Sequence, residues 1–326
     1  MIQPIEMKET RPMQLHNGVV STTTDVWSML TASQDSDLDT VKDLAQRYPA
    51  LITCQYDYTS FLHLAVREGH LDLVRYLVQH GALDPTYKTH PFLESLVTVA
   101  EDRGYDEIAQ FLKRSLDDPK LTRAWGDTGK IDYGKDETQR RFQELVGKNK
   151  HAEVEAMLQE RPELALDETA FWGEGILTMP AKDGDRQMLE LLMRYGARVS
   201  DLSKWGARYY FKHYEIAAFL LENGMNPNHM NWRRFTLLHD MAYTGDLCKA
   251  GLLLDHGADI NPIDDDYCST PLGYAARWGR QEMVTLLLER GADVNKAGAP
   301  WATPLAWAQK KEHAAIETAL LQAGAQ

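Results

Sequence analysis

Residues 126–130 read Gly126-Asp127-Thr128-Gly129-Lys130, the types a phosphate-cradling loop uses. A complete loop of that kind has four residues between its glycines and Ser or Thr after the lysine. Backbone amides then curl around the phosphate, and the hydroxyl reaches the metal. Here two residues separate the glycines and Ile131 follows the lysine, so no nucleotide site is expected. The run Asp264-Asp265-Asp266, near Asp259 and Asn261, has the oxygens that calcium favours. It lacks the alternating ligands, the central Gly and the closing Glu of a calcium loop, so a solvated hairpin tip is expected. No HExxH and no paired Cys/His spacing is present, and no Ser/His/Asp or Cys/His set stands out. The three cysteines, Cys54, Cys248 and Cys268, are too sparse for a disulfide framework and form no CxxC pair. They fit a reducing compartment. No catalytic residue, cofactor, metal or small-molecule substrate is therefore indicated.

The formal net charge of -13 over 326 residues, with a pI near 5.3, argues against nucleic-acid binding, which needs a basic surface. It also argues against attachment to anionic membranes, while permitting basic partners. Met1 to Thr24 has no apolar core of a secretory signal. No apolar run approaches the roughly 18 residues of a membrane helix. A cytoplasmic protein is the expectation.

The elements that hold these residues recur with a period. "STPLGYAARWGRQEMVTLLLERGADVN" (Ser269 to Asn295) is followed by "ATPLAWAQKKEHAAIETALLQAGA" (Ala302 to Ala325). "FTLLHDMAYTGDLCKAGLLLDHGADIN" (Phe235 to Asn261) precedes them, and "SFLHLAVREGHLDLVRYLVQHGA" (Ser60 to Ala82) lies in the first half. Thr270 and Thr303 are 33 residues apart, and Gly257 and Gly291 are 34 apart. Within each unit apolar residues recur at helical spacing, as in Leu71, Val74, Leu77 and Val78. Thr-Pro suits a helix start, with Thr as cap and Pro in the first turn. The Gly after each second helix suits a left-handed C-terminal cap. A single unit leaves an apolar face bare, so only stacking stabilises it.

These units resemble ankyrin repeats, over roughly residues 25 to 326. The resemblance implies an all-α solenoid of about nine helix-turn-helix repeats with short β-hairpin tips. It divides the chain into a flexible N-terminal segment (1–24), a block of about three repeats (25–114), a linker or insertion (115–137) and a block of about six repeats (138–326). Lys204 to Asn228 is the most divergent unit, and a shortened hairpin is expected near Val199 to Ser203.

The resemblance also implies a protein–protein interaction module that binds through the concave groove and the hairpin tips. Mapped residue by residue, it makes Trp172, Trp232, Arg233, Arg234, Tyr267, Arg277, Trp278 and Trp301 the candidate partner-binding set. Trp, Tyr and Arg dominate binding hot spots because they combine large contact area with a polar handle. The same aromatics could instead pack across adjacent hairpins and stiffen the stack. His63 and His239 fall at the histidine of the TPLH element and are expected to hydrogen-bond neighbouring loop backbone. Asn231 to Arg234 should sit beside Asp264 to Tyr267 on the next tip, where the opposite charges either attract each other or present a divided patch to a partner. The competing readings are a structural spacer or self-assembly element, and an enzyme with an unrecognised site.

Overall fold

A computed structural model describes residues 1–15, 18–124, 129–199 and 209–326. The expected shortened hairpin near Val199 to Ser203 lies almost wholly outside the described residues, as does Gly126-Asp127-Thr128. The chain falls into two compact units. One is 5–134; the other joins 1–4 to 135–326.

Helices come in pairs. Among the described residues every first helix except Thr178–Asp183 is entered through a side-chain cap. Ser60 accepts from the His63 amide before Phe61–Glu68. Thr270 and Thr303 do the same before Pro271–Arg277 and Pro304–Lys310, with proline in the first turn. The cap satisfies an otherwise orphaned amide, and proline there loses no bond. Second helices such as Leu71–Gln79, Leu247–Asp255 and Gln281–Glu289 bury Leu and Val on one face. Among the described residues eight pairs are complete, and a ninth is represented by its second helix, Tyr214–Glu222.

The turn between the two helices of a pair carries a repeated device. Its glycine is left-handed, for example Gly69, Gly184, Gly245 and Gly279. A side chain from the following repeat lies against the place a Cβ would occupy: Tyr105, His213, Arg280 and His313 respectively. Three of these side chains also bond the end of the preceding first helix. His213 Nε2 lies 3.0 Å from the Lys182 carbonyl, Arg280 Nε 3.0 Å from that of Tyr243, and His313 Nε2 3.2 Å from that of Arg277. His70 reaches the Gln34 carbonyl in the same way. Each bond satisfies a C-terminal helix carbonyl that has no partner inside its own helix and locks neighbouring repeats in register.

The N-terminal segment departs from the expectation of flexibility. Pro12–Gln14 pairs antiparallel with Val20–Thr22 on one side and with Lys130–Ile131 on the other. Met7, Met13 and Leu15 are buried, and Tyr56 Oη donates to Glu6 Oε1 at 2.7 Å. Within residues 115–137, for which a linker or an insertion is expected, Lys130–Ile131 supplies the third strand. Gly129 and Lys130 serve this sheet. The Gly129 amide donates to the Gln55 carbonyl at 2.9 Å, and a Cβ at Gly129 would strike Met13. Cys54 lies in the same core, and burial pushes its thiol up to about 12.

Candidate partner-binding face

The last three repeats, all within the unit 135–326, bring the aromatic and cationic residues together. The tip Asn231-Trp232-Arg233-Arg234 meets the next tip across one repeat period. Arg233 Nη1 lies 2.7 Å from Asp266 Oδ2, with both side chains buried, and Asp265 N donates to the Arg233 carbonyl at 2.9 Å. Arg234, by contrast, is exposed, 3.9 Å from Asp265. The opposite charges do meet, but mainly in the interior.

Asp264 and Asp266 are therefore not the solvated tip expected from sequence. Asp264 organises the turn. Its carboxylate accepts from the amides of Asp266, Tyr267 and Ser269 and from Tyr274 Oη at 2.7 Å. Burial, followed by the charge of Asp266, nevertheless pushes its pKa up to about 6. Short polar side chains that bond nearby backbone are the usual makers of such turns. Among the described residues no group of acids, histidines and cysteines forms a metal site.

His239 occupies the expected structural role. Its Nδ1 accepts from the Thr236 amide at 3.2 Å, and its Nε2 donates to the Ser269 carbonyl at 3.1 Å. Burial pushes its pKa down to about 4, so the ring is neutral. His63 differs, pairing with Tyr87 Oη at 3.1 Å, whose hydroxyl in turn donates to the Tyr58 carbonyl. In the next repeat glycine stands at the histidine position. A Cβ on Gly273 would press on Ser269 at 3.0 Å, so the serine replaces the histidine. Ser269 Oγ donates to the Ala302 carbonyl at 2.8 Å and accepts from Trp307 Nε1 at 2.7 Å.

The two buried titrating groups oppose each other in pH dependence. His239 has a folded pKa below its unfolded value of 6.5. Its stabilisation is complete above pH 6.5 and is lost as pH falls toward 4. Asp264 has a folded pKa above its unfolded value of 3.8. Its stabilisation is complete below pH 3.8 and is lost as pH rises through about 6. Comparison with His239→Asn isolates the histidine. The melting-temperature difference between the native chain and this variant should widen from pH 4 to 6.5 and then stay level. A difference constant across that range would show that His239 is not held neutral.

Arg277 is the centre of the face. It is buried, and its guanidinium carbon lies 4.3 Å from the Trp307 ring centroid, 4.6 Å from Tyr267 and 4.9 Å from Trp278. Such stacking suits a planar, weakly hydrated cation. The rings continue outward. Trp278 meets Tyr243 edge to face at 5.0 Å, and Trp301 meets Trp307 edge to face at 5.7 Å.

The eight sequence candidates thus divide. Trp232, Arg233, Tyr267 and Arg277 are interior, with 1–3% of their surface exposed. This departs from the expectation that they face a partner, because adjacent tips and helix ends close over them. Trp278 and Trp301 are half-buried and Arg234 is exposed. Trp172 is 61% exposed, on a tip where both Phe171 and Trp172 are left-handed. Tyr243 and Lys311 belong with the accessible set, and Trp307 and Ser269 with its support. Trp307 sits at a core-facing helical position, which is why tip mapping passes over it.

Comparison with known proteins agrees with this architecture. A family model described as ankyrin repeats (three copies) matches residues 28–123 and 204–298. Among curated relatives, an ankyrin repeat protein of Fowlpox virus is 35% identical over 88 residues, covering 25% of this chain and 13% of the relative. The ARF GTPase-activating protein Git of Drosophila melanogaster is 38% identical over 86 residues, 26% of this chain and 12% of the relative. The human transient receptor potential cation channel subfamily A member 1 is 22% identical over 320 residues, 82% of this chain and 27% of the relative. The chain spans less than a third of the length of each. Among the described residues no helix is long and apolar enough to cross a membrane.

Proposed function

Because the chain belongs to the ankyrin repeat family, whose repeats are generally protein–protein interaction modules, we propose that it is a recognition module holding a segment of another protein. The segment lies along the ends of the first helices and the hairpin tips of the C-terminal repeats. Trp278, Trp301, Tyr243 and Arg234 touch it. Trp172 is a further contact on an earlier tip. Trp232, Arg233, Tyr267 and Arg277 act from beneath, by fixing the tips and rings that do the touching.

The observation that carries this reading is the Arg277-centred cluster. Its inner rings are closed in the protein while Trp278 and Trp301 keep accessible edges. Rigid, half-exposed aromatics backed by a packed support give contact area at low entropic cost. No cofactor and no small-molecule substrate enter this reading, and its expected place of action is the cytoplasm. Affinity capture with the native chain and with a Trp278→Ala/Trp301→Ala chain tests it. The same partner should be held by the first and lost by the second, with circular dichroism showing both chains folded at the temperature of capture. Equal retention by both would move recognition to another surface.

A further inference from the structure

The two residues before the turn residue, glycine in most repeats and Ser36, Asn149, Lys212 or Glu312 in the others, occupy equivalent register positions. In four of the six earlier repeats one of the two is acidic: Asp35, Glu68, Asp102 and Asp183; Gly147-Lys148 and Tyr210-Phe211 are the exceptions. In the last three repeats the pairs are Tyr243-Thr244, Arg277-Trp278 and Lys310-Lys311, with no acid among them. The turn after the middle pair adds Arg280, which is exposed and bonds the Tyr243 carbonyl through Nε. Arg280 and Lys310 are exposed and Lys311 is half-buried, with Lys311 Nζ 5.9 Å from the Trp307 ring centroid. The neighbouring acids are few. Glu312 is exposed in the last turn, Glu282 lies in the first turn of the helix Gln281–Glu289, Glu317 accepts from Gln309 at 2.9 Å, and Asp246, next to the Gly245 on which Arg280 packs, pairs with Lys249 at 2.8 Å. A chain of net charge -13 thus concentrates cations beside the half-exposed rings of Tyr243 and Trp278.

We propose that this strip selects an acidic partner segment, one in which Asp and Glu flank an apolar or aromatic side chain. The inference rests on the recognition reading above and names the chemistry of its partner. The apolar side chain packs on the Trp278 and Tyr243 rings, while carboxylates reach Arg280, Lys310 and Lys311. Complementary charge of this kind sets partner choice and speeds association more than it adds raw affinity. The remaining surface of an acidic protein repels such a segment, so the strip also fixes where it lands.

The test titrates the full chain with a fluorescein-labelled synthetic peptide alternating Glu and Leu, followed by anisotropy at low and moderate salt. Controls are a Lys/Leu peptide of equal length and a single-stranded oligothymidylate. The Glu/Leu peptide should bind, and more weakly as salt rises. Lys310→Glu/Lys311→Glu should weaken it about tenfold and Arg280→Gln several-fold, whereas Arg75→Glu in the other unit should not. Circular dichroism melting of each variant separates loss of binding from loss of fold. Absence of binding, equal binding of the Lys/Leu peptide, or indifference to the Lys310/Lys311 reversal would overturn the acidic assignment. Binding of the oligothymidylate at the same residues with equal strength would assign the strip to polyanions rather than acidic peptides. Failure here together with Trp278-dependent capture of a partner would leave recognition standing and remove only its chemistry.

Discussion

Replacing Arg233 with Met should destabilise the C-terminal repeats by about 3–5 kcal/mol, the range for removing one partner of a buried ion pair. The methionine fills much of the space, so the loss is electrostatic in origin. Asp266 is left buried beside Asp264, two carboxylates close together, with the guanidinium that bonds Asp266 gone. Combining Arg233→Met with Asp266→Leu should recover most of the stability, because an apolar pair avoids the desolvation that the ion pair must overcome. Urea unfolding followed by far-ultraviolet circular dichroism measures both variants. A single-variant loss below about 1 kcal/mol, the range of an exposed pair, would mean that the two tips do not close over this pair.

Gly279→Ala should cost about 2–3 kcal/mol. Its φ of +67° is a left-handed conformation that costs an L-residue about 1–2 kcal/mol. The added Cβ would also lie 2.9 Å from His313. The imidazole would have to move and loosen its bond to the Arg277 carbonyl, a further loss of about 1 kcal/mol. Gly291→Ala is the matched control. Its φ is +87°, and nothing lies within 4 Å of the new Cβ, so only the conformational cost applies. The ranking of Gly279 above Gly291 is the informative result. Equal losses would show that the close approach of the next repeat contributes nothing.

These two predictions also mark what the residues disclose unaided. Thr-Pro helix starts, glycine stops and helical apolar spacing are local signals, repeated at 33–34 residues, so the stack is readable from them. The sheet of Pro12–Gln14, Val20–Thr22 and Lys130–Ile131 is not. Its strands are two or three residues long, too short for any alternation to show, and Pro12–Gln14 finds Lys130–Ile131 more than a hundred positions away. For the same reason 1–24 reads as flexible and 115–137 as a linker or an insertion, although residues of both enter one sheet.

The candidate face was half legible. A tip Trp or Tyr has the same type whether it packs or binds, so burial of Trp232 and Tyr267 leaves no mark on the sequence. Arg233 and Asp266 are a different case. They stand 33 residues apart, one repeat period, and so occupy the same place on adjacent tips. A buried pair could have been read from that register. The residues that follow the turn position carry a similar signal. His70, Tyr105, His213, Arg280 and His313 are all long enough to reach back to the preceding repeat.

Site-directed photocrosslinking in cells that contain the natural partners tests the central claim most directly. A photoreactive phenylalanine analogue is placed at Trp278 on the proposed face, or at Thr285 on an exposed surface of the second helix. Recognition through the C-terminal face predicts a discrete crosslinked protein from position 278 and none from 285. A crosslink of equal yield from both positions, or one from 285 alone, would contradict it.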